Sequence, residues 1–157
     1  MTKDVQGYDS DNVALIKFAH QQDWCNGHFG AMGYCIGGHL AFRAALQPEV
    51  KGTACFYATD LHNQTIPNKP GQHSMERLGD IQGELLMIWG KQDNHVPRDG
   101  LDKISATLHK TDISFTWHEF NAEHAFMRDE GDGGRYDAQT ALLGYQLALK
   151  LFSRTLR

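Results

Sequence analysis

The stretch "GAMGYCIGGHLAF", residues 30–42, is a short apolar run that ends in glycines and leads into a helix-forming segment. Gly33-Tyr34-Cys35-Ile36-Gly37 has the spacing G-x-nucleophile-x-G of a tight strand-to-helix turn. Because the backbone is strained at such a turn, the flanking positions are expected to lack side chains. A thiol held there lies at a helix N-terminus, whose dipole favours the thiolate. The same pattern also fits a buried cysteine in an ordinary turn.

The segments on either side of this turn alternate between strand and helix patterns. Four apolar runs predict strands, at residues 28–34, 52–58, 84–90 and 113–120. Four segments predict helices, at residues 11–22, 39–47, 99–110 and 137–156. Val13, Ile16 and Ala19 or His20 share one side of the first helix, and Leu142, Tyr145, Leu149 and Phe152 form a stripe on the last.

This alternation predicts one α/β domain over residues 1–157, with a mostly parallel sheet and helices on both faces. Residues 59–83 are rich in proline, glycine and polar residues, and they predict a long loop with one helical turn near Met75 to Leu78. In such sheets, ligands bind beyond the carboxyl ends of the strands.

Composition excludes several classes of protein. Lysine and arginine number 15 against 19 acidic residues, a net charge of −4, so the chain has no basic surface for nucleic acid or an acidic membrane. No run approaches the roughly 20 apolar residues of a membrane-spanning helix. The three cysteines are an odd number without metal-ligand spacing, which favours reduced thiols and a cytoplasmic location.

Two further candidate residues follow predicted strands. Asp93 follows the strand at 84–90, and His124 follows the strand at 113–120. The chain order nucleophile, acid, base is that of an α/β-hydrolase site, in which the acid orients the histidine. Taken singly, Asp93 also fits a turn aspartate and His124 a solvated surface histidine.

Metal and phosphate sites are not expected. His118, Glu119 and His124 lack the H-E-x-x-H spacing, because Ala122 stands where the second histidine would be. The segment "GDGGR", residues 131–135, follows no strand and is interpreted as a turn rather than a phosphate loop. His39, His62, His73 and His95 are interpreted as solvated or hydrogen-bonded groups, with His62 and His95 able to line a pocket.

The chain resembles the dienelactone hydrolase family from about residue 9 to its end. The matching segments are "GYCIGGHLAFRAA", "FYATDLH", "GKQDNHVP", "EHAFMRDE" and "GRYDAQTA". The resemblance implies an α/β-hydrolase-like fold with Cys35, Asp93 and His124 as its catalytic triad. It also implies that Arg128 binds a substrate carboxylate and that Tyr57 lines the site.

The resemblance further implies parts that this sequence lacks. Family members carry several strands before the nucleophile turn, including a loop that donates a second oxyanion N–H, an amino-terminal glutamate and a second pocket arginine. Without those strands, the strand before Cys35 is expected to expose an unpaired edge. We therefore expect that identical chains can assemble through this edge.

The sequence thus predicts a hydrolase for a small carboxylated enol lactone or ester. His124, oriented by Asp93, takes the proton of Cys35, the thiolate forms an acyl-cysteine, and the Ile36 N–H holds the oxyanion. This chemistry needs no cofactor and no metal. Two alternatives stay open: an incomplete chain that binds a ligand or partner without turnover, and a thioesterase or acyltransferase on the same turn.

Overall fold

The computed structural model describes residues 5–67, 69–129 and 135–157, and its strands form one four-stranded sheet. The strands are β1 (Phe29–Tyr34), β2 (Val50–Phe56), β3 (Glu84–Gly90) and β4 (Phe115–Phe120). Their spatial order follows their order in the sequence, and every neighbouring pair is parallel. The predicted parallel sheet is confirmed.

Four helices cover the two faces of this sheet. They are α1 (Val5–Ala19), α2 (Ile36–Ala44), α3 (Arg98–Leu108) and α4 (Ala138–Thr155). Buried residues of α2 and α3 pack together on one face, and buried residues of α4 pack on the other. Parallel neighbours need crossover connections, which is why helices cover both faces and why β2 and β3 are almost wholly buried.

Helix α4 contacts the sheet through small residues rather than through the predicted stripe. Ala141, Gly144, Ala148 and Leu151 are its buried residues. Leu142, Tyr145 and Leu149, which the sequence pattern grouped with Phe152, are exposed instead. The reason is the close approach of helix and sheet, since a Cβ at Gly144 would lie only 3.0 Å from the Phe56 ring.

Helix α1 begins at Val5, earlier than the predicted start at residue 11. Of the residues predicted to share one side, Ile16 and Ala19 are buried, whereas Val13 is 51% exposed and His20 is also exposed. The additional amino-terminal turns extend the buried side, because Val5 lies about three helical turns before Ile16 and is buried with it.

The long loop at residues 59–83 is attached to α2 by buried polar side chains. His39 bonds through Nδ1 to the Thr59 carbonyl at 3.0 Å and through Nε2 to Ser74 Oγ at 2.7 Å. Arg43 donates to the Gln72 carbonyl and pairs with Asp9 of α1. The loop contains two short 3₁₀ turns, Ser74–Glu76 and Leu78–Asp80, where the sequence predicted a single turn.

Among the described residues, no helix combines the length and apolar character needed to cross a bilayer. The turn predicted for "GDGGR" falls mainly on residues 131–134, which lie outside the described ranges.

Candidate active site

Cys35 is the single residue between β1 and α2, and its backbone conformation is one that few residues other than glycine adopt. Its φ is 56° and its ψ is −123°. Such a conformation persists only where neighbouring groups hold it. The Cys35 N–H donates to the Phe56 carbonyl at 3.0 Å, and the Cys35 carbonyl accepts from Gly38 N–H and Thr59 N–H. The turn is therefore fixed both by its own helix and by β2 with its following loop.

The glycines beside Cys35 do not share one role. A Cβ at Gly33 would lie 1.9 Å from the Gly37 carbonyl oxygen, and one at Gly38 would lie 2.8 Å from the Phe56 carbonyl oxygen. A Cβ at Gly37 would meet nothing within 4 Å. The expectation that both flanking positions must lack side chains is thus correct for Gly33 and wrong for Gly37.

His124 and Asp93 form a buried hydrogen-bonded pair at the carboxyl ends of β3 and β4. His124 Nδ1 lies 2.7 Å from Asp93 Oδ2, and both residues are no more than 6% exposed. The other carboxylate oxygen of Asp93 accepts from the N–H groups of His95 at 2.7 Å and Val96 at 3.3 Å. The loop backbone therefore fixes the carboxylate, and the carboxylate fixes the imidazole.

His124 also reaches Cys35. Burial lowers the pKa of His124, but hydrogen bonds to Asp93 and to the Cys35 side chain raise it, and its pKa lies above the ordinary value. With Nδ1 facing Asp93, the ring can accept a proton from the thiol through Nε2. The three residues that the sequence predicted separately are brought together.

A cavity of about 330 Å³ opens beside the thiol. It is lined by Cys35 together with Tyr57 and Arg128, the two residues predicted to contact substrate. Tyr57 is buried, and the centre of its ring lies 4.9 Å from the centre of the His124 ring. The pKa of its phenol is raised, mainly by burial and to a smaller extent by the nearby Cys35. Arg128 is exposed, so its charge stands where the cavity meets solvent.

Sequence reasoning missed other residues of this cavity. Tyr34 precedes Cys35 and Tyr145 lies on α4, and both line the cavity. The apolar stripe through Tyr145 is the signal that could have found it, but such a stripe ordinarily faces a protein core. His95 does not line the cavity, but its ring lies 4.2 Å from that of His124. His62 lies outside the cavity lining.

Ile36 is the first residue of α2, as the predicted oxyanion donor should be. The first N–H groups of a helix have no carbonyl partner within the helix. The Ile36 N–H therefore stands beside the thiol as a donor with the helix dipole behind it. Among the described residues, no cluster of three or more histidine, cysteine or acidic side chains could hold a metal ion.

A cysteine at the turn after β1, an acid after β3 and a histidine after β4 of a parallel sheet form the arrangement typical of the α/β-hydrolase class. The model of the dienelactone hydrolase family matches residues 1–156, and the chain belongs to that family. The resemblance stated from the sequence motifs is confirmed.

Individual relatives agree with this assignment. A provisionally assigned carboxymethylenebutenolidase of Saccharomyces cerevisiae is 36% identical over 160 residues, covering 99% of this chain and 59% of the relative. The carboxymethylenebutenolidase of Pseudomonas putida is 28% identical over 147 residues, covering 93% and 57%. The chain therefore spans less than two thirds of the length of these relatives.

A solved structure supports the fold. The crystal structure of a provisionally assigned dienelactone hydrolase from Klebsiella pneumoniae superimposes with a TM-score of 0.80 at 21% identity. The match covers 93% of this chain and 60% of that chain.

The two glycines around Cys35 give a matched pair of substitutions. Gly33→Ala should lower the free energy of unfolding by roughly 3 kcal/mol or more, because backbone must move to admit the methyl group. Gly37→Ala should change it by no more than about 1 kcal/mol, and in the stabilising direction, because the position is helical and open. Urea unfolding of the two variants measures this difference, and equal losses would contradict the assigned packing.

The raised pKa of His124 predicts a pH-dependent stability. The protonated imidazole is favoured in the folded state, so its contribution is full below about pH 6.5 and is lost as pH rises through the raised pKa. Asp93→Asn should therefore destabilise the protein more near pH 6 than near pH 9 in urea unfolding. Asp102→Asn, at an exposed pair with Arg98, is the control. A penalty for Asp93→Asn that did not vary with pH would contradict the assigned coupling.

Proposed function

We propose that this chain carries the active site of a hydrolase for small carboxylated enol lactones or esters, acting through an acyl-cysteine. The observation that supports the proposal is the buried His124–Asp93 hydrogen bond next to Cys35, which lines a 330 Å³ cavity and whose side chain helps to raise the pKa of His124. A thiol, a base and an orienting acid in this order are the parts of a nucleophilic acyl-transfer site.

The first step is acylation. His124 takes the thiol proton of Cys35 while the sulfur attacks the carbonyl carbon, forming a C–S bond and an oxyanion held by the Ile36 N–H. As the carbonyl re-forms, the C–O bond of the ester or lactone breaks. His124 gives its proton to the departing oxygen, so the acyl group stays on sulfur and the base returns to its neutral form.

The second step is hydrolysis of the thioester. A water molecule loses a proton to His124 as its oxygen attacks the acyl carbon, and the C–S bond then breaks. The proton returns from His124 to the thiolate, which restores the resting site and releases a carboxylic acid. Asp93 keeps Nδ1 protonated throughout, so that Nε2 faces the reacting atoms.

The use of cysteine restricts the class of substrate. A thiolate is itself a good leaving group, so the tetrahedral intermediate returns to substrate unless the other leaving group is also good. Enol esters and enol lactones release a stabilised enolate, whereas amides and alkyl esters release poorer leaving groups. The site therefore suits activated esters and lactones.

The cavity lining adds a requirement for charge and shape. Tyr34, Tyr57 and Tyr145 surround the thiol with aromatic rings, and Arg128 stands at the solvent side. A guanidinium can bind a carboxylate through two parallel hydrogen bonds. A small, flat acyl group with a carboxylate on its outer end fits this arrangement.

A second candidate function is binding of the same ligand class without turnover. Such binding would use the same cavity and Arg128, and it does not require acylation of Cys35. Hydrolysis and binding differ in one measurable quantity, the release of acid product. Measuring the release of acid product from a panel of acyl thioesters, with and without acyl acceptors, separates a lactonase from a thioesterase or acyltransferase.

Replacing the nucleophile tests the proposal directly. Cys35→Ala should reduce kcat for an enol lactone or enol ester by at least about 10³-fold, because no other group can form the acyl intermediate. Cys25→Ala, at a half-buried cysteine outside the cavity, is the control and should keep wild-type kcat. Retained turnover in Cys35→Ala would reject the mechanism, and wild-type protein that binds the substrate but releases no acid would favour the second candidate.

Replacing the cavity arginine tests the carboxylate requirement. Arg128→Gln should raise KM for a carboxylated substrate by roughly 10- to 100-fold, because a charge-assisted hydrogen-bond pair is lost. Its KM for the corresponding methyl ester should stay within about twofold of wild type. Arg98→Gln, which removes an exposed arginine outside the cavity, should alter neither value. Equal effects of Arg128→Gln on both substrates would show that the arginine does not read the carboxylate.

A further inference from the structure

His95 touches both members of the His124–Asp93 pair, although it does not line the cavity. Its backbone N–H donates to Asp93 Oδ1 at 2.7 Å. The centre of its ring lies 4.2 Å from the centre of the His124 ring, and the two ring planes stand at 85°, so the edge of one ring meets the face of the other. Acylation and hydrolysis by Cys35, His124 and Asp93 leave this ring without a role.

The turn after β3 explains why the His95 side chain has a defined position. Asp93 Oδ1 accepts from the backbone N–H groups two and three residues further along, those of His95 and Val96. Val96 is buried in the core cluster that includes residues of α3. The backbone of His95 is therefore held by a hydrogen bond on one side and by core packing on the other.

The hydrogen bond to Asp93 fixes one atom of the His124 ring but not the plane of the ring. Nδ1 lies 2.7 Å from Asp93 Oδ2, and the imidazole can still rotate about that bond. Two rings restrict this rotation, that of His95 and that of Tyr57, whose centre is 4.9 Å away at 65°. Nε2 must point at the thiol to take its proton, so the plane of the imidazole matters for the reaction.

The ring contact also keeps water away from part of the imidazole. His124 is only 6% exposed. Because the two rings are in contact, His95 covers part of the His124 surface whatever lies outside it. The hydrogen bond between the imidazole and the carboxylate is stronger where water is excluded.

We propose that His95 is a positioning residue for the base, whose ring holds the plane of the His124 imidazole and covers part of its surface. This role rests on the proposed function, because it assigns His95 to the acyl-transfer site of Cys35, His124 and Asp93. His95 touches no reacting atom and acts through His124.

The titratable groups that face His124 come from the ends of three strands. Cys35 follows β1, Tyr57 follows β2, and Asp93 and His95 follow β3. Burial raises the pKa of the Tyr57 phenol, so this group stays neutral. The charges that bear on the imidazole are therefore those of the thiolate, the Asp93 carboxylate and, when it is protonated, the His95 ring.

Loss of the His95 ring has a definite effect on the pKa of His124. Burial is the largest influence on this pKa and lowers it, while hydrogen bonds to Asp93 and Cys35 raise it. Removing the ring lets water reach the imidazole, which weakens the effect of burial and raises the pKa further. The backbone N–H of residue 95 is kept when the side chain is replaced, so the Asp93 carboxylate stays fixed.

Direct titration of the imidazole tests the proposal. Long-range ¹H–¹⁵N correlation spectra of the full chain give the pKa of His124, whose signals are identified by their loss in His124→Gln. His95→Ala should raise this pKa by about 0.5 or more, and His95→Phe, which keeps an aromatic ring, should restore it to within about 0.2 of wild type. His109→Ala is the matched control and should leave the pKa unchanged, because it removes an exposed histidine in an 86° contact with Phe115, outside the cavity.

Two results would overturn the proposal. An unchanged pKa of His124 in His95→Ala would show that the ring does not cover the imidazole. An equal rise in His95→Phe and His95→Ala would show that the nitrogen atoms of His95 act on His124 and the ring contact does not. A merely structural role for His95 would lower the free energy of unfolding without moving the pKa of His124.

Turnover of an enol ester gives a second readout. His95→Ala should lower kcat roughly 10-fold and keep KM within about twofold, because the base is misoriented while the cavity lining is unchanged. His95→Phe should recover most of kcat. Wild-type protein without turnover would reject the proposed function while the titration still tests the ring contact, whereas wild-type turnover that His95→Ala leaves unchanged, with an unchanged pKa of His124, would reject the role of His95 alone.

Discussion

The contact between Gly33 and the Gly37 carbonyl is the constraint on which the rest of the site depends. No side chain fits between them, and their closeness allows the chain to turn from β1 into α2 within a single residue. Cys35 is that residue: it has a positive φ, it lines the cavity, and it also packs against the core cluster on the α4 side of the sheet. Hydrogen bonds from Thr59 N–H and to the Phe56 carbonyl tie this conformation to β2, so the strain is supported by the whole sheet.

The parallel sheet supplies the remaining chemistry by topology. Each strand ends at the same edge, so Asp93 after β3 and His124 after β4 arrive beside Cys35 although 31 residues separate the first two. Backbone N–H groups hold the Asp93 carboxylate in place. The pKa of His124 then depends on burial, which lowers it, and on hydrogen bonding, which raises it. Asp93 and His124 are thus positioned by elements that also form the core.

Much of this was predictable from local patterns, and the exceptions share one physical cause. Alternating apolar runs predicted the four strands, and the spacing around Cys35 together with strand-end positions predicted the three site residues. The orientation of α4 was not predictable, because the pattern of large apolar residues favours Leu142 and Leu149 as core, whereas close packing against Phe56 selects Gly144 and its small neighbours. For the same reason Tyr145 was missed as a cavity residue, and Gly37 was wrongly treated like Gly33: both depend on contacts between segments distant in the sequence.

The central claim is that Cys35 becomes covalently acylated with His124 as its base. Rapid acid quench of the protein with an activated ester such as p-nitrophenyl acetate, followed by peptide mass spectrometry, measures this directly. The account predicts an acyl group on the peptide that contains Cys35, with none on Cys55, which is fully buried and whose thiol pKa is raised by that burial. Product release with no acyl group on Cys35 at any quench time, or an acyl group on a different residue, would contradict it.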